Sequence, residues 1–169
     1  DMSVSETGEL DVRVNKTSDT FIEVKTHYGA KGNGVTDDTA AIQKAIDEAK
    51  PGDTVYVYPG IYKVTLLVMR EGVTLEMFTS MTDAKEGFTT SLAQATAKGS
   101  ITVLQGIRIM NNENNEPGAE GAGNFTVRGG VLDMQGTTRG AVIFGCADGV
   151  VLENVIFKDM KNNHAIQLT

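Results

Sequence analysis

Two side chains near the far end of this 169-residue chain are spaced so that they could work together. Arg139 stands two residues before the strand-like run Ala141-Val142-Ile143-Phe144, and His164 stands one residue before a second such run, Ala165-Ile166-Gln167-Leu168. The two runs are 24 residues apart. Stacked as neighbouring strands, about 4.8 Å apart, they would bring the guanidinium and the imidazole to one entrance. Histidine exchanges a proton near neutral pH, and arginine offers a rigid fork of donors to an anionic group. Asn162, Asn163 and Gln167 add polar groups beside them, although the asparagines equally suit turns, where they tolerate left-handed backbone.

Other chemistries find no residues to carry them. One cysteine and two histidines do not make a zinc site, and there is no G-x-S-x-G elbow and no P-loop. The glycines of Gly29-x-x-Gly32-x-Gly34 do not match the dinucleotide fingerprint. Asp37 and Asp38 are adjacent, but a role at a helix start explains them. Asp133, Asp148 and Asp159 fit turns or contacts between strands. Cys146 has no disulfide partner and reads as a small buried residue. With 15 Lys+Arg against 22 Asp+Glu the net charge is −7, which lacks the basic footprint that nucleic-acid binding needs. No apolar stretch is long enough to cross a bilayer.

The elements that must position Arg139 and His164 follow from a repeat. Val73-Thr74-Leu75, Ile101-Thr102-Val103, Phe125-Thr126-Val127 and Val150-Val151-Leu152 share a pattern, their starts separated by 28, 24 and 25 residues. A second strand follows in step at Ile107-Arg108-Ile109, Val131-Leu132-Asp133 and Ile156-Phe157-Lys158. The runs at 141–144 and 165–168 are the third. Three short strands per coil predict a three-faced solenoid whose stacked strands form three parallel sheets around an apolar column. Residues 79–99 and the acidic, glycine-rich stretch 111–123 break the repeat as insertions.

An open end of such a column needs a cover. Ala41, Ile42, Ala45, Ile46 and Ala49 form one apolar stripe of a helix stopped by Pro51-Gly52, with Gln43, Lys44, Asp47 and Glu48 toward water. Thr36 or Asp37 can cap its first turn, and Asp37 and Asp38 place negative charge at the positive end of its dipole. A glycine-punctuated loop leads into this helix, preceded by a strand over 20–25. Two short strands over 54–58 and 61–64 follow it. Residues 1–19 read as a flexible polar leader carrying a short strand near 10–14, with the coils occupying 20–169. No helix or polar coil follows the last strand, so a further part of the solenoid or a second copy is expected to cover that end.

The string YGAKGNGVTDDTAAIQKAI (28–46), followed by TVYVYPGIY (54–62), resembles the N-terminal signature of the pectate-lyase-like superfamily. The resemblance implies an all-β, right-handed parallel β-helix with an N-terminal amphipathic capping helix, in which Asp37, Asp38, Ile42 and Ile46 belong to the cap. It implies a secreted, cell-surface or virion protein that meets polysaccharide. The superfamily includes lyases, polygalacturonase-like hydrolases, epimerases and phage tailspikes. In the hydrolases paired carboxylates cleave the glycosidic bond, while in the lyases a base acts beside calcium-bound carboxylates. The Asn-Thr-Asp, Gly-His-Gly and Asp-Pro-His motifs of these relatives are absent here. Asn163-His164-Ala165-Ile166-Gln167 resembles the position where epimerases carry a histidine before a strand, which implies His164 and Arg139 as catalytic candidates. Asn163, Gln167 and Asp133 are then substrate-binding candidates; Asp133 stands where relatives carry Ile-Asp-Gly, with Met134 in place of the glycine. Calcium enters through the resemblance alone. The chain is expected to be the N-terminal part of a carbohydrate-active protein acting on acidic polysaccharide, its decisive residues lying beyond Thr169. The alternative is a non-catalytic adhesin or phage-tail module.

Overall fold

Alternation along residues 54–57 sets the geometry of the first full coil: Val55 and Val57 are buried, while Thr54 and Tyr56 stay partly open. A strand with one apolar face must lay that face on a core. The computed structural model describes residues 2–4, 10–12, 21–89, 91, 93–94, 99–114 and 119–169. In chain order, β1 (Met2–Val4) and β2 (Leu10–Val12) pair antiparallel. Next come β3 (Ile22–Glu23), α1 (Val24–Tyr28), β4 (Asn33–Asp37) and α2 (Thr39–Glu48). The next coils hold β5 (Thr54–Val57), β6 (Gly60–Lys63), β7 (Leu66–Val68), β8 (Thr74–Met77), α3 (Met81–Thr89), β9 (Thr102–Gln105) and β10 (Arg108–Met110). The last two are β11 (Thr126–Arg128), β12 (Val131–Asp133) and β13 (Val142–Phe144), then β14 (Val151–Glu153), β15 (Ile156–Lys158) and β16 (Ile166–Leu168).

These strands wind into a right-handed parallel β-helix. The first sheet has the order β14-β11-β8-β5-β3, the second β15-β12-β9-β6-β4 and the third β16-β13-β10-β7. Every pairing in them is parallel, as the right-handed crossover of successive coils requires. The column between the sheets is a set of stacked rows. Val55, Leu75 and Val127 come from the first sheet, Tyr62, Leu104 and Leu132 from the second, and Leu67, Ile109 and Val142 from the third. Phe125 and Phe144 meet edge to face inside it, 6.0 Å apart.

The repeat is in place, but two of its members sit on other sheets than the spacing predicted. Residues 101–103 were expected on the first sheet, yet Val103 pairs with Ile61 and Val131 on the second. Residues 107–109 were expected on the second, yet Ile109 pairs with Leu67 and Val142 on the third. The cause is the insertion at 79–99. It lies inside a coil, between β8 and β9, so the 28-residue spacing runs from one sheet to the next. Within it α3 places buried Ala84 on the outward row Val103–Val131 of the second sheet, with Ile101 beside them.

The entry to the solenoid also differs in detail. The strand expected over 20–25 shrinks to β3, because the Glu23 carboxylate accepts the Lys25 and Thr26 N–H groups and starts α1. Residues 33–37, expected as loop, pair with β6. The loop before them presses on buried Tyr62. A Cβ on Gly32, at φ 58°, would lie 2.8 Å from that ring, so only glycine fits. The expected leader carries a two-stranded ribbon, β1 and β2, in place of one strand; the rest of 1–20 lies outside the described residues.

Helix α2 buries Ile42, Ala45 and Ile46 completely against the first coil. Asp37, not Asp38, serves its first turn: the Asp37 carboxylate accepts the Thr39 N–H at 3.0 Å. Asp38 makes no side-chain cap. Its buried carboxylate accepts the Lys31 and Gly32 N–H groups at 2.7 and 2.9 Å and pins the loop instead. Gln43 and Asp47 do not simply face water. The Gln43 side chain accepts the Val68 N–H and donates to the Val68 carbonyl, and Thr39 Oγ1 accepts the Thr65 N–H. The helix therefore supplies β7 with the hydrogen bonds that a missing strand would have made. Asp47 binds Arg70.

Candidate functional site

The third sheet and the loops that enter it collect the polar groups that sequence spacing singled out. Val142 of β13 pairs with Ile166 of β16, so Arg139 and His164 lie on consecutive coils, in the loops leading into these strands. The two loops are tied together: Asn163 donates its amide to the Thr138 carbonyl, and Asn163 Oδ1 accepts the His164 N–H at 2.7 Å. Arg139, Asn163 and His164 are exposed. Gln167 is half-buried and stands level with Ile143 on the outward face.

Arg108 joins this group, and the sequence reading missed it by assigning its strand to the wrong sheet. It opens β10, half-buried, and its N–H donates to the Thr65 carbonyl at 2.9 Å. Burial, and then the neighbouring Arg139 guanidinium, hold Arg108 below its usual arginine range. The Arg108 and Arg139 charges act on one another, so this part of a chain of net charge −7 is locally positive. Placing residues 108–110 on the third sheet is the signal that would have found it.

A groove lies along the corner between the second and third sheets, with Val64 and Gly106 in its floor. Lys63, Thr65, Gln105 and Gln135 line it across three coils, with Val35 and Asp37 at one end. The Thr39 hydroxyl and N–H hold the Asp37 carboxyl below its usual range. Asp133 does not present itself to this groove. It is only 4% exposed, and its carboxylate accepts the Gln135 N–H at 3.0 Å, so it orients the Gln135 turn. Among the described residues no group of three His, Cys, Asp or Glu side chains is placed to hold a metal ion. Cys146 is exposed, at φ 46° in the turn after β13, and is not the buried residue its composition implied.

Arg139 and His164 thus share one edge of the solenoid with Arg108 and the groove, while Asp133 lies beneath it. Asp37, Asp38, Ile42 and Ile46 belong to the opposite end of the column. The arrangement offers fixed cations, amide donors and an exposed imidazole along a surface several coils long. It suits an extended anionic ligand.

Known proteins of related sequence include a binding protein and a glycosidase. Plasmin and fibronectin-binding protein A of Streptococcus pneumoniae is 29% identical over 89% of this chain, which spans 22% of that protein. An exo-poly-alpha-D-galacturonosidase of Dickeya chrysanthemi is 42% identical over 34% of the chain, which spans 10% of it. The crystal structure of PfbA, a surface adhesin of Streptococcus pneumoniae, superposes with a TM-score of 0.54 at 21% identity, covering 80% of this chain and 33% of that one. The fold is therefore shared. The profile of one family, described as rhamnogalacturonase A/epimerase, pectate lyase-like, matches residues 21–168, which take in all three parallel sheets. The chain belongs to the rhamnogalacturonase A/epimerase, pectate lyase-like family.

Proposed function

We propose that this chain binds an acidic polysaccharide along the third-sheet edge, as part of an extracellular carbohydrate-active β-helix protein. The observation that carries the reading is the pair Arg108 and Arg139 beside a groove lined by Lys63, Gln105 and Gln135. Carboxylates spaced along a polyuronate match guanidinium groups as paired oxygens match a fork of donors. The groove's amides answer sugar hydroxyls. His164, exposed on the neighbouring coil, is the group that exchanges a proton if bond cleavage or epimerisation takes place here. Partners of this chemistry lie outside the cell.

A second reading is a non-catalytic adhesin module. The identity to a plasmin and fibronectin-binding protein over 89% of the chain favours it. In that case the same edge binds without turnover.

Titration with polygalacturonate and alginate, with and without calcium, tests both readings. Arg139→Ala and Arg108→Ala are each expected to weaken binding about tenfold or more, and rising salt to weaken it further. Binding that ignores both substitutions overturns the proposal. Turnover that is lost in His164→Ala assigns an enzyme; binding without turnover of either polymer favours the adhesin.

A further inference from the structure

The outer face of the first sheet carries a feature that the acidic-polysaccharide site does not use. Strand residues facing water are ordinarily polar, yet four aromatic rings gather here from three successive coils. Phe21 precedes β3, Tyr56 lies on β5, Tyr58 follows β5, and Phe78 follows β8. Phe21, Tyr58 and Phe78 are 51%, 37% and 36% exposed. Phe21 stacks on Tyr56 at 5.2 Å, Tyr56 meets Tyr58 at 6.4 Å, and Tyr58 meets Phe78 edge to face at 5.3 Å. The rings form a ribbon along the solenoid axis.

Two further observations say what the ribbon can take. The Tyr56 and Tyr58 hydroxyls have no hydrogen-bond partner among the described residues, whereas Tyr28 donates to Glu48 and Tyr62 to the Tyr58 carbonyl. The ribbon therefore pairs apolar ring faces with vacant polar tips. The charges next to it are already closed on one another: Arg128 binds Glu76 at 2.8 Å and Glu153 at 2.9 Å. The cation that the described residues place beside the ribbon is thus already paired. The four side chains offer on the order of 300 Å² of ring surface, taking 150–250 Å² for each whole residue. That is well short of the roughly 800 Å² a partner protein buries on each side.

We propose that this ribbon is a second binding surface, for uncharged pyranose units of a glycan. A pyranose ring has a face of C–H groups and a rim of hydroxyls. The face lies on an aromatic ring and the rim meets the phenols. Neutrality separates this surface from the Arg108–Arg139 edge, where charge selects the ligand. The two surfaces lie on different sheets, so one chain of mixed composition, with uronate and neutral stretches, can engage both.

The test uses the whole chain and three neutral probes: cellohexaose, β-1,4-mannohexaose and β-1,4-galactohexaose. With no tryptophan and two of the 4 tyrosines in the ribbon, tyrosine emission carries the site's signal. At least one probe is expected to bind with an affinity that does not change between low salt and about 1 M salt. Tyr58→Ala and Phe78→Ala should each reduce it about tenfold or more, and Tyr58→Phe should reduce it less, because the ring remains. Arg139→Ala should leave it unchanged. Absence of binding by all three probes overturns the proposal, as does binding that survives both alanine substitutions in variants with unaltered circular dichroism. A sedimenting dimer that Phe78→Ala dissolves also overturns it, in favour of self-association. Polygalacturonate binding, read in parallel, fails or holds independently.

Discussion

The two ends of the solenoid treat the same inner rows differently. At the α2 end Val55, Tyr62 and Leu67 have no accessible surface, and Ile22, which precedes Val55 in the first row, is only 4% exposed. At the other end Ile166 is 42% exposed, although its register partner Val142 on the preceding coil is 0% exposed. Nothing in residue type distinguishes these positions. A core position in a solenoid is buried by the layers on both sides of it, not by its own coil. At the α2 end the outer layer is a helix. Ile42, Ala45 and Ile46 cover the column, while Thr39 and Gln43 bind the exposed edge of β7. Cover and edge repair come from two faces of one element.

The largest effect is expected from breaking the cover. Ile42→Asp puts a carboxylate where no solvent reaches. Burying an unpaired charge costs several kcal/mol, a large fraction of the stability of an ordinary domain. The variant should unfold or aggregate at room temperature, as thermal unfolding and size-exclusion chromatography would show. A monomer with an unchanged Tm would mean that α2 does not close this end.

An enclosed coil and the last described coil can then be compared at inward-facing positions of two sheets. Leu75→Ala removes a side chain enclosed on both sides and should cost about 2–5 kcal/mol. Ile166→Ala, in the last coil, should cost less than about 1 kcal/mol, since much of that side chain is already in water. Equal losses in urea denaturation would refute the layer argument.

Much of this is legible in the sequence alone. The stripe Ala41/Ile42/Ala45/Ile46/Ala49 marked an amphipathic helix, and the repeat in the mid-twenties marked a three-sheet column. Local pattern fails where a residue's role depends on a distant partner. Asp38 looks like a helix cap, but its carboxylate serves Lys31 and Gly32 across a loop. Gln43 looks like a solvent-facing residue until the unpaired edge at Val68 comes beside it. Arg108 was lost because an insertion inside a coil shifts the register while leaving a spacing of 28 residues, close to the 25 of the true repeat. Spacing placed Arg139 and His164 on neighbouring coils. It could not tell that Asp133 would be enclosed, because both an enclosed and an open aspartate fit the end of a strand.

The smallest effect concerns charge at the closed end, where Tyr62 is fully buried and its hydroxyl donates to the Tyr58 carbonyl at 2.7 Å. Burial raises its ionisation above the ordinary tyrosine range, reinforced by the Glu23 and Asp38 carboxylates. The Lys25 ammonium lies over the ring, 5.5 Å from its centre. The folded state therefore keeps the phenol proton after the unfolded chain has released it. A group with a raised folded pKa stabilises fully below its unfolded value, about 10, and that contribution is lost as pH climbs beyond it. Between pH 8 and pH 11 the loss from Tyr62 is about 1.4 kcal/mol, equivalent to one pH unit of differential proton binding. Phe157, which stands in the Tyr62 row on the last described coil, has no proton to lose. Tyr62→Phe should therefore be less stable than the parent near pH 8, because the Tyr58 carbonyl loses its donor, yet fall less steeply above pH 10. Parallel alkaline slopes for the two proteins would show that the closed end does not withhold this phenol from ionisation.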